Sequence, residues 1–133
     1  MSADKKSLLS IVEQGGYPDF SSFYQNLDFE VTTATSMRKA LGLLKQHQPD
    51  IITAEFIYSP MYSARISNLE SLFALIQRRT PKPLLLIFVE MEQLHHLKKL
   101  EYATADLNME IITHPITINK LSLALNETNE VNC

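Results

Sequence analysis

Short apolar runs alternate with segments of helical period along the whole chain. Runs of about six residues with few charges are typical of parallel strands that helices cover on both faces. Five strands are predicted in this way, at Leu8–Val12, Phe29–Ala34, Ile51–Ile57, Leu84–Val89 and Met109–Thr113. The alternation of strands and helices therefore predicts an α/β fold built around a parallel sheet.

Between the strands, apolar residues recur every three or four positions, as they do on the buried face of a helix. This spacing predicts helices over Tyr17–Leu27, Met37–Leu44, Gln93–Tyr102 and Ile118–Leu125, and a further helix after Ser67 that buries Leu69, Leu72, Phe73 and Ile76. Ser36 is a candidate cap for the second helix, and Ser67 with Glu70 forms a possible capping box for the third.

Five β–α units in this order predict a flavodoxin-like, doubly wound sheet of five parallel strands, in the order 2-1-3-4-5, with five helices. The 133 residues fit one domain, since a domain of this length buries roughly two-thirds of its unfolded surface. We assign residues 1–127 to this domain and expect residues 128–133 to form a flexible C-terminal tail.

Composition narrows the classes of partner and compartment. The net charge is −3, and no basic cluster is interleaved with aromatic residues, so a nucleic-acid partner is not expected. No apolar stretch approaches the roughly 18 residues of a membrane span, and no secretory signal is expected at the start of the chain. Cys133 is the only cysteine, which excludes an internal disulfide. These features predict a cytoplasmic protein.

The third predicted strand begins after Pro49-Asp50 and carries a carboxylate at Glu55. It resembles the third strand of response-regulator receiver domains, in which the last residue is an aspartate that accepts a phosphoryl group. The resemblance covers about Leu8 to Glu127 and is strongest at Phe29–Ala34, Ala40–Leu44, Gln48–Asp50, Lys82–Leu86 and Thr113–Pro115. It implies the flavodoxin-like fold and a place in bacterial two-component or phosphorelay-type signal transduction.

The resemblance also implies where a site would lie, because receiver domains gather theirs at the carboxyl ends of the strands. The family's acidic pair, which binds Mg²⁺, aligns with Glu13 and Gln14, and its phosphoacceptor aligns with Glu55. Its hydroxyl residue aligns with Phe88, and its lysine and cis-proline align with His114 and Pro115. Every functional position departs from the family pattern, although Glu13 keeps a carboxylate and Pro115 keeps the proline.

These departures argue against phosphorylation. Glu55 is one methylene longer than aspartate, and a misplacement of about 1 Å can cost on the order of a hundredfold in rate. Phe88 has no hydrogen-bond donor, and a histidine carries less positive charge than a lysine near neutral pH. We therefore expect no catalytic residue, no enzymatic activity and no required cofactor. Glu13 and Glu55 remain weak candidates for binding Mg²⁺.

Glu55 has two interpretations. Its longer, negatively charged side chain would partly imitate an aspartyl phosphate and hold an active-like conformation, although a phosphate carries nearly twice the charge. Alternatively, Glu55 is a relic of a lost site and is either paired with His114 or exposed to solvent. Substitution of Glu55 by aspartate or glutamine would separate the two hypotheses through partner affinity or solution conformation.

Gln14-Gly15-Gly16 follows the first strand, at a position where glycine-rich loops often cradle phosphates. The chain has neither the dinucleotide-binding fingerprint nor the Walker sequence at this point. A tight turn before the first helix is the preferred interpretation of the two glycines.

The segment 58–66 follows the third strand and is longer and more apolar than its counterpart in receiver domains. Residue types found in interface cores occur in it, namely Tyr58, Met61, Tyr62 and Arg65. An alternative role for the same segment is a lid that folds over the degenerate site.

The preferred hypothesis is a stand-alone receiver-like domain that acts by protein–protein interaction, through a partner or as a homodimer, without phosphorylation at Glu55. No effector domain is expected after the last helix. Leu123 is a candidate exposed residue on the face of the fourth helix, fifth strand and last helix, the family's usual contact surface. The alternative hypothesis is a small-molecule sensor, whose pocket at the carboxyl ends of the strands is lined by Phe56, Phe88 and the segment 58–66.

Overall fold

The computed structural model of the chain describes residues 5–58 and 67–131, without the side chains of residues 102, 103 and 127–131. The strands are β1 (Lys6–Ile11), β2 (Phe29–Ala34), β3 (Ile51–Glu55), β4 (Leu84–Val89) and β5 (Asn108–Thr113). They form one parallel sheet in the order β2-β1-β3-β4-β5. The predicted fold class and strand order are confirmed, and the third strand ends at Glu55 rather than at Ile57.

The connecting helices are α1 (Ser21–Asn26), α2 (Met37–Leu44), α3 (Glu70–Gln77), α4 (Leu94–Lys98), α5 (Glu101–Thr104) and α6 (Ile118–Val131). The predicted cap of α2 forms, since the Lys39 N–H donates to Ser36 Oγ at 3.1 Å. Before α3, the Ser67 N–H donates to Glu70 Oε1 and the Leu69 N–H donates to Ser67 Oγ. The Glu70-to-Ser67 half of the predicted capping box is therefore present, although the residue directly before the helix is Leu69, which makes no side-chain cap.

Two predicted helices have different bounds. The first begins at Ser21 rather than Tyr17, because Pro18 follows Tyr17 and a residue before proline avoids helical angles. The segment predicted as one helix, Gln93–Tyr102, is divided into a 3-10 turn (Met91–Gln93), α4 and α5.

The last helix is longer than predicted. It continues beyond Leu125 to Val131, so residues 128–131, which we assigned to a flexible tail, are helical. The reason is visible locally, since no glycine or proline interrupts the backbone between these two positions. Residues 132 and 133 lie outside the described residues.

The sheet separates two hydrophobic clusters. Helices α1 and α6 pack on one face, and α2, α3 and α4 pack on the other. All five residues of β3 are buried, as expected of a central strand under helices on both faces. Because the strands are parallel, their carboxyl ends meet at one edge of the sheet. The loops that follow β1, β3, β4 and β5 come together at this edge.

Candidate functional site

The centre of the candidate site is Glu55, the last residue of β3. It pairs in register with Phe88 of β4, and only 5% of its surface is exposed. Burying a carboxylate is costly unless hydrogen bonds replace the water that it loses. The environment of Glu55 therefore has to supply donors to both of its oxygens.

The loop after β1 supplies most of these donors through its main chain. The N–H groups of Glu13 and Gln14 donate to Glu55 Oε2 at 3.3 Å and to Oε1 at 2.8 Å, respectively. The Gly15 N–H lies between the two oxygens, at 3.3 and 3.2 Å. Successive N–H groups that converge in this way form an anion-binding concavity, here occupied by the chain's own carboxylate.

The two glycines of this loop have the conformation that the concavity needs. Gly15 has φ +74° and Gly16 has φ +87°, in the left-handed region that side chains disfavour. The predicted tight turn is therefore present. The same turn also cradles an anion, as phosphate-binding loops do, although the anion is the carboxylate of Glu55.

Tyr17 completes the enclosure of Glu55. Its hydroxyl donates to Glu55 Oε2 at 2.5 Å. Its ring stands edge-on to Phe88, with centroids 5.1 Å apart, and lies 6.0 Å from the ring of His114. Burial, followed by the hydrogen bond to Glu55 and the charge of that residue, raises the pKa of Tyr17 well above its ordinary value. The phenol therefore remains a neutral donor at physiological pH.

The Glu13 carboxylate does not join Glu55. Its Oε1 accepts from Asn68 Nδ2 at 2.7 Å, and its Oε2 accepts from the Met37 N–H, the first residue of α2, at 3.3 Å. Glu13 thus contributes its main-chain N–H to the Glu55 concavity and its side chain to a helix N-terminus, where a carboxylate is favourable. The exposed side chain of Gln14 likewise contributes nothing beyond its N–H to the described contacts of Glu55.

Asn68 is a residue that the sequence analysis missed. Its Nδ2 also donates to the main-chain oxygen of Glu55 at 2.8 Å, while its Oδ1 accepts from the Ile57 N–H at 2.8 Å. It therefore ties the end of β3 to the start of α3 and to Glu13. No local sequence pattern predicts that Asn68 links these elements, because its partners lie far away along the chain.

His114 lies at the same edge but is engaged elsewhere. It precedes Pro115 across a cis peptide bond, as the resemblance implied. Its Nδ1 is 3.9 Å from Glu90 Oε1, its ring lies near that of Tyr17, and its main-chain N–H donates to the Val89 carbonyl oxygen at 3.0 Å. Glu55 is thus neither exposed nor paired with His114. The relic interpretation predicted one or the other of these environments, and both predictions are wrong.

A lysine that the sequence analysis did not select also lies near this edge. Lys120 of α6 donates through Nζ to the carbonyl oxygens of Thr113 and Pro115, at 2.8 and 3.0 Å. Its ammonium therefore binds the main chain on either side of His114 and has no described contact with Glu55.

The residues present do not fit a Mg²⁺ site. Such a site needs carboxylate oxygens that are free to point at one ion. The Glu13 and Glu55 carboxylates are instead turned to different donors, and the part of the chain that the structure describes has no cluster of three His, Cys, Asp or Glu residues suited to a metal. The prediction of weak Mg²⁺ binding by this pair therefore has no geometric support.

The apolar pocket predicted for a sensor is not formed as proposed. Phe56 packs in the cluster under α2 and α3, whereas Phe88 packs in the cluster under α1 and α6, so the two rings lie on opposite faces of the sheet. A cavity of about 320 Å³ does lie at the carboxyl edge, with polar groups from Tyr17, Glu90 and His114 in its lining.

Of the segment 58–66, the structure describes only Tyr58. Tyr58 forms an antiparallel bridge with Ser67, and its ring stacks on His96 with centroids 3.6 Å apart and an interplanar angle of 3°. The other candidates for an interface or a lid, Met61, Tyr62 and Arg65, lie outside the described residues. Leu123, predicted to be exposed on the last helix, is 64% exposed.

Solved structures that are similar to this chain include receiver domains. The chain is similar to a response regulator receiver protein from Sinorhizobium medicae, with a TM-score of 0.69 and 16% identity over 94% of each chain. A receiver domain protein from Methanospirillum hungatei has a TM-score of 0.69 and 15% identity, also over 94% of both chains. The receiver domain of a Francisella response regulator has a TM-score of 0.66 and 16% identity, covering 97% of this chain and 100% of its own.

At these identities the likeness establishes the fold, which is that of response-regulator receiver domains. No protein-family model matches the chain, and no curated protein is similar to it in sequence. None of the helices within residues 5–58 and 67–131 is long and apolar enough to cross a membrane.

Proposed function

We propose that this chain is a divergent receiver domain of bacterial two-component or phosphorelay-type signalling that acts by binding a protein, without phosphorylation at Glu55. The observation that carries the proposal is that both carboxylate oxygens of Glu55 already accept hydrogen bonds from the domain itself. It accepts five hydrogen bonds from the three loop N–H groups and the Tyr17 hydroxyl.

Phosphoryl transfer would require this arrangement to be dismantled. A nucleophilic carboxylate oxygen must approach the phosphorus in line, while cations neutralise the phosphoryl oxygens. Both oxygens of Glu55 already have donors, and Tyr17 lies against Phe88 at the edge where the phosphoryl group would enter. The nearby lysine, Lys120, is committed to main-chain carbonyls.

In our proposal Glu55 is a permanent internal anion. It holds the loop after β1 against the end of β3 in a single arrangement. A receiver that is phosphorylated would instead change between two arrangements. Glu55 thereby resembles an aspartyl phosphate in carrying negative charge at this edge. It differs in binding N–H groups of its own domain. The output of such a domain depends on which partner contacts it, since no phosphorylation event changes its shape.

The test is incubation with Mg²⁺ and acetyl phosphate, followed by intact mass measurement, with a phosphorylatable receiver domain treated in parallel. We expect the parallel domain to gain about 80 Da, the mass of one phosphoryl group, and this chain to keep its mass. A stoichiometric gain of mass that disappears in Glu55→Gln would overturn the proposal.

A second candidate function is small-molecule sensing at the cavity beside His114. The supporting observation is the cavity itself, whose lining includes Tyr17, Glu90 and His114. Native mass spectrometry of the purified protein tests it. A bound molecule that is lost on substitution of His114 by alanine would favour sensing over protein binding alone.

A further inference from the structure

A groove runs between α2 and α3, on the face of the sheet opposite to α1 and α6. Its volume is about 730 Å³, and its lining combines apolar, small and charged residues, among them Met37, Arg38, Leu41, Gly42, Lys45 and Leu75. Its floor is formed by Met37, Leu41 and Leu75, which are partly buried and pack against the core below. The groove therefore offers an apolar strip that remains accessible from solvent.

Gly42 opens the wall of this groove. Glycine inside a helix is destabilising relative to alanine, yet Gly42 lies within α2, as the sixth of its eight residues. Its φ is not in the left-handed region, and a Cβ at this position would meet no atom within 4 Å. Neither backbone conformation nor packing among the described residues therefore requires glycine here. Glycine also allows another chain to approach the backbone closely, and this role is compatible with the ordinary φ of Gly42 and the open space around it.

Positive charge flanks Gly42 on the same helical face. Arg38 is four residues before it and Lys45 is three residues after it, and both side chains are exposed. The ion pairs of the described residues involve other side chains. The acid in the lining, Glu13, is already bound to Met37 and Asn68. The charges that the groove presents without a partner are thus positive.

We propose that this groove binds an acidic amphipathic helical segment of a partner protein. Apolar side chains of such a helix, spaced at i, i+3, i+4 and i+7, would lie on Met37, Leu41 and Leu75 where Gly42 lets the two backbones come close. Aspartate and glutamate residues on its flanks would face Arg38 and Lys45. The inference rests on the proposed protein-binding function and names a surface for it, separate from the face that carries Leu123.

The groove can be tested with a displayed library of random peptides of about 16 residues, or four helical turns. Selection is carried out on the wild-type domain and, in parallel, on Gly42→Trp, in which a large side chain occupies the groove. Leu123→Trp is the matched control, since it places the same large side chain at an exposed position of α6, on the opposite face of the sheet from the groove. If Gly42→Trp does not fold, as judged by its thermal transition, Arg38→Glu/Lys45→Glu replaces it, because both side chains are exposed.

We expect the wild-type domain and Leu123→Trp to enrich peptides that combine acidic residues with helical apolar spacing. These peptides should bind Gly42→Trp or the charge-reversal variant at least about tenfold more weakly, in keeping with the loss of a central contact. Enrichment of basic or unpatterned peptides, equal binding to the variants, or no enrichment would each overturn the inference. If phosphatidylglycerol vesicles bind through Arg38 and Lys45 and no peptide is enriched, the inferred partner is wrong, and the groove binds an anionic membrane surface instead. None of these outcomes changes the acetyl phosphate result, so the two proposals can fail separately.

Discussion

The hydroxyl of Tyr17 donates a hydrogen bond to the carboxylate of Glu55, across 38 positions of the chain. Tyr17 belongs to the loop between β1 and α1, whereas Glu55 ends β3, so the bond joins two elements that local sequence does not connect. Together with the three loop N–H groups, it surrounds both carboxylate oxygens of Glu55 with hydrogen-bond donors.

Glu55→Gln should destabilise the domain by about 1–3 kcal/mol, because the amide presents donors to groups that are themselves donors. The free energy of unfolding, measured by urea denaturation, checks this. Glu92→Gln is the matched control, since Glu92 is exposed and its substitution should change stability by less than about 0.5 kcal/mol. Equal stability of Glu55→Gln and the wild-type protein would contradict the anion-binding role of the loop.

Tyr17→Phe should cost about 1–2 kcal/mol, because it removes the hydroxyl and keeps the ring against Phe88. The effects of Tyr17→Phe and Glu55→Gln should not add, since each removes the same hydrogen bond. A double-mutant cycle in urea measures the coupling between them. Strict additivity would show that the two side chains contribute independently to the stability of the domain.

Stability should fall as the pH rises above about 10, the ordinary pKa of a tyrosine. Burial raises the pKa values of Tyr17 and Tyr24 in the folded chain. A raised pKa in the folded state means that the unfolded chain loses its protons first. The stabilisation is therefore complete below the unfolded pKa and is lost as the pH rises through the folded one.

The near-ultraviolet absorbance of the phenolates tests this pH dependence. Of the five tyrosines, we expect Tyr17 and Tyr24 to ionise only as the protein unfolds. The corresponding part of the absorbance change should disappear in Tyr17→Phe/Tyr24→Phe. Ionisation of all tyrosines in one step near pH 10, with the fold intact, would contradict the prediction.

Gly15→Ala and Gly42→Ala should change stability in opposite directions. Gly15 has φ +74°, where an alanine costs about 1–2 kcal/mol, although its Cβ would meet Val12 at an ordinary 3.8 Å. Gly42 has helical neighbours and open space, so alanine should stabilise the domain by about 0.5–1 kcal/mol. Urea denaturation of the two variants provides the comparison. A stabilising Gly15→Ala would mean that the loop does not need its left-handed turn.

Millimolar Mg²⁺ should leave the Tm unchanged, because Glu13 and Glu55 direct their oxygens to different donors. An ion present at a hundred times its Kd would add about 2.7 kcal/mol to the stability, a change that a thermal melt detects readily. Sodium chloride at equal ionic strength controls for screening. A Mg²⁺-dependent rise in Tm that is lost in Glu13→Gln would show that these residues form a metal site after all.

Local pattern was sufficient for most of the architecture. The bounds of β2 and β4 and the Ser36 cap of α2 follow from residue type and spacing within a few positions. The strand order followed from the succession of β–α units, which has few stable arrangements. The errors fall where local rules compete, as at Pro18, or where no residue marks a boundary, as after Leu125.

The resemblance to receiver domains allowed the candidate site to be placed before its contacts were known. The four aligned positions Glu13, Glu55, Phe88 and His114 lie at or next to the carboxyl ends of strands, and these ends meet at one edge of a parallel sheet. This reasoning locates side chains to an edge. It does not say which donor faces which oxygen, and the predicted partner of Glu55, His114, was accordingly wrong.

The contacts of Glu55 depend on the path of the loop after β1 and on the tertiary placement of that loop beside β3. Hydrogen bonds are directional and act over about 3 Å, so a carboxylate finds its donors only after distant segments have been brought together. Asn68 illustrates the same point, because its side chain binds Glu13, 55 positions away. Hydrophobic periodicity along the chain encodes the sheet and its helices, whereas only the folded arrangement decides that the anion at this edge is held by the domain itself.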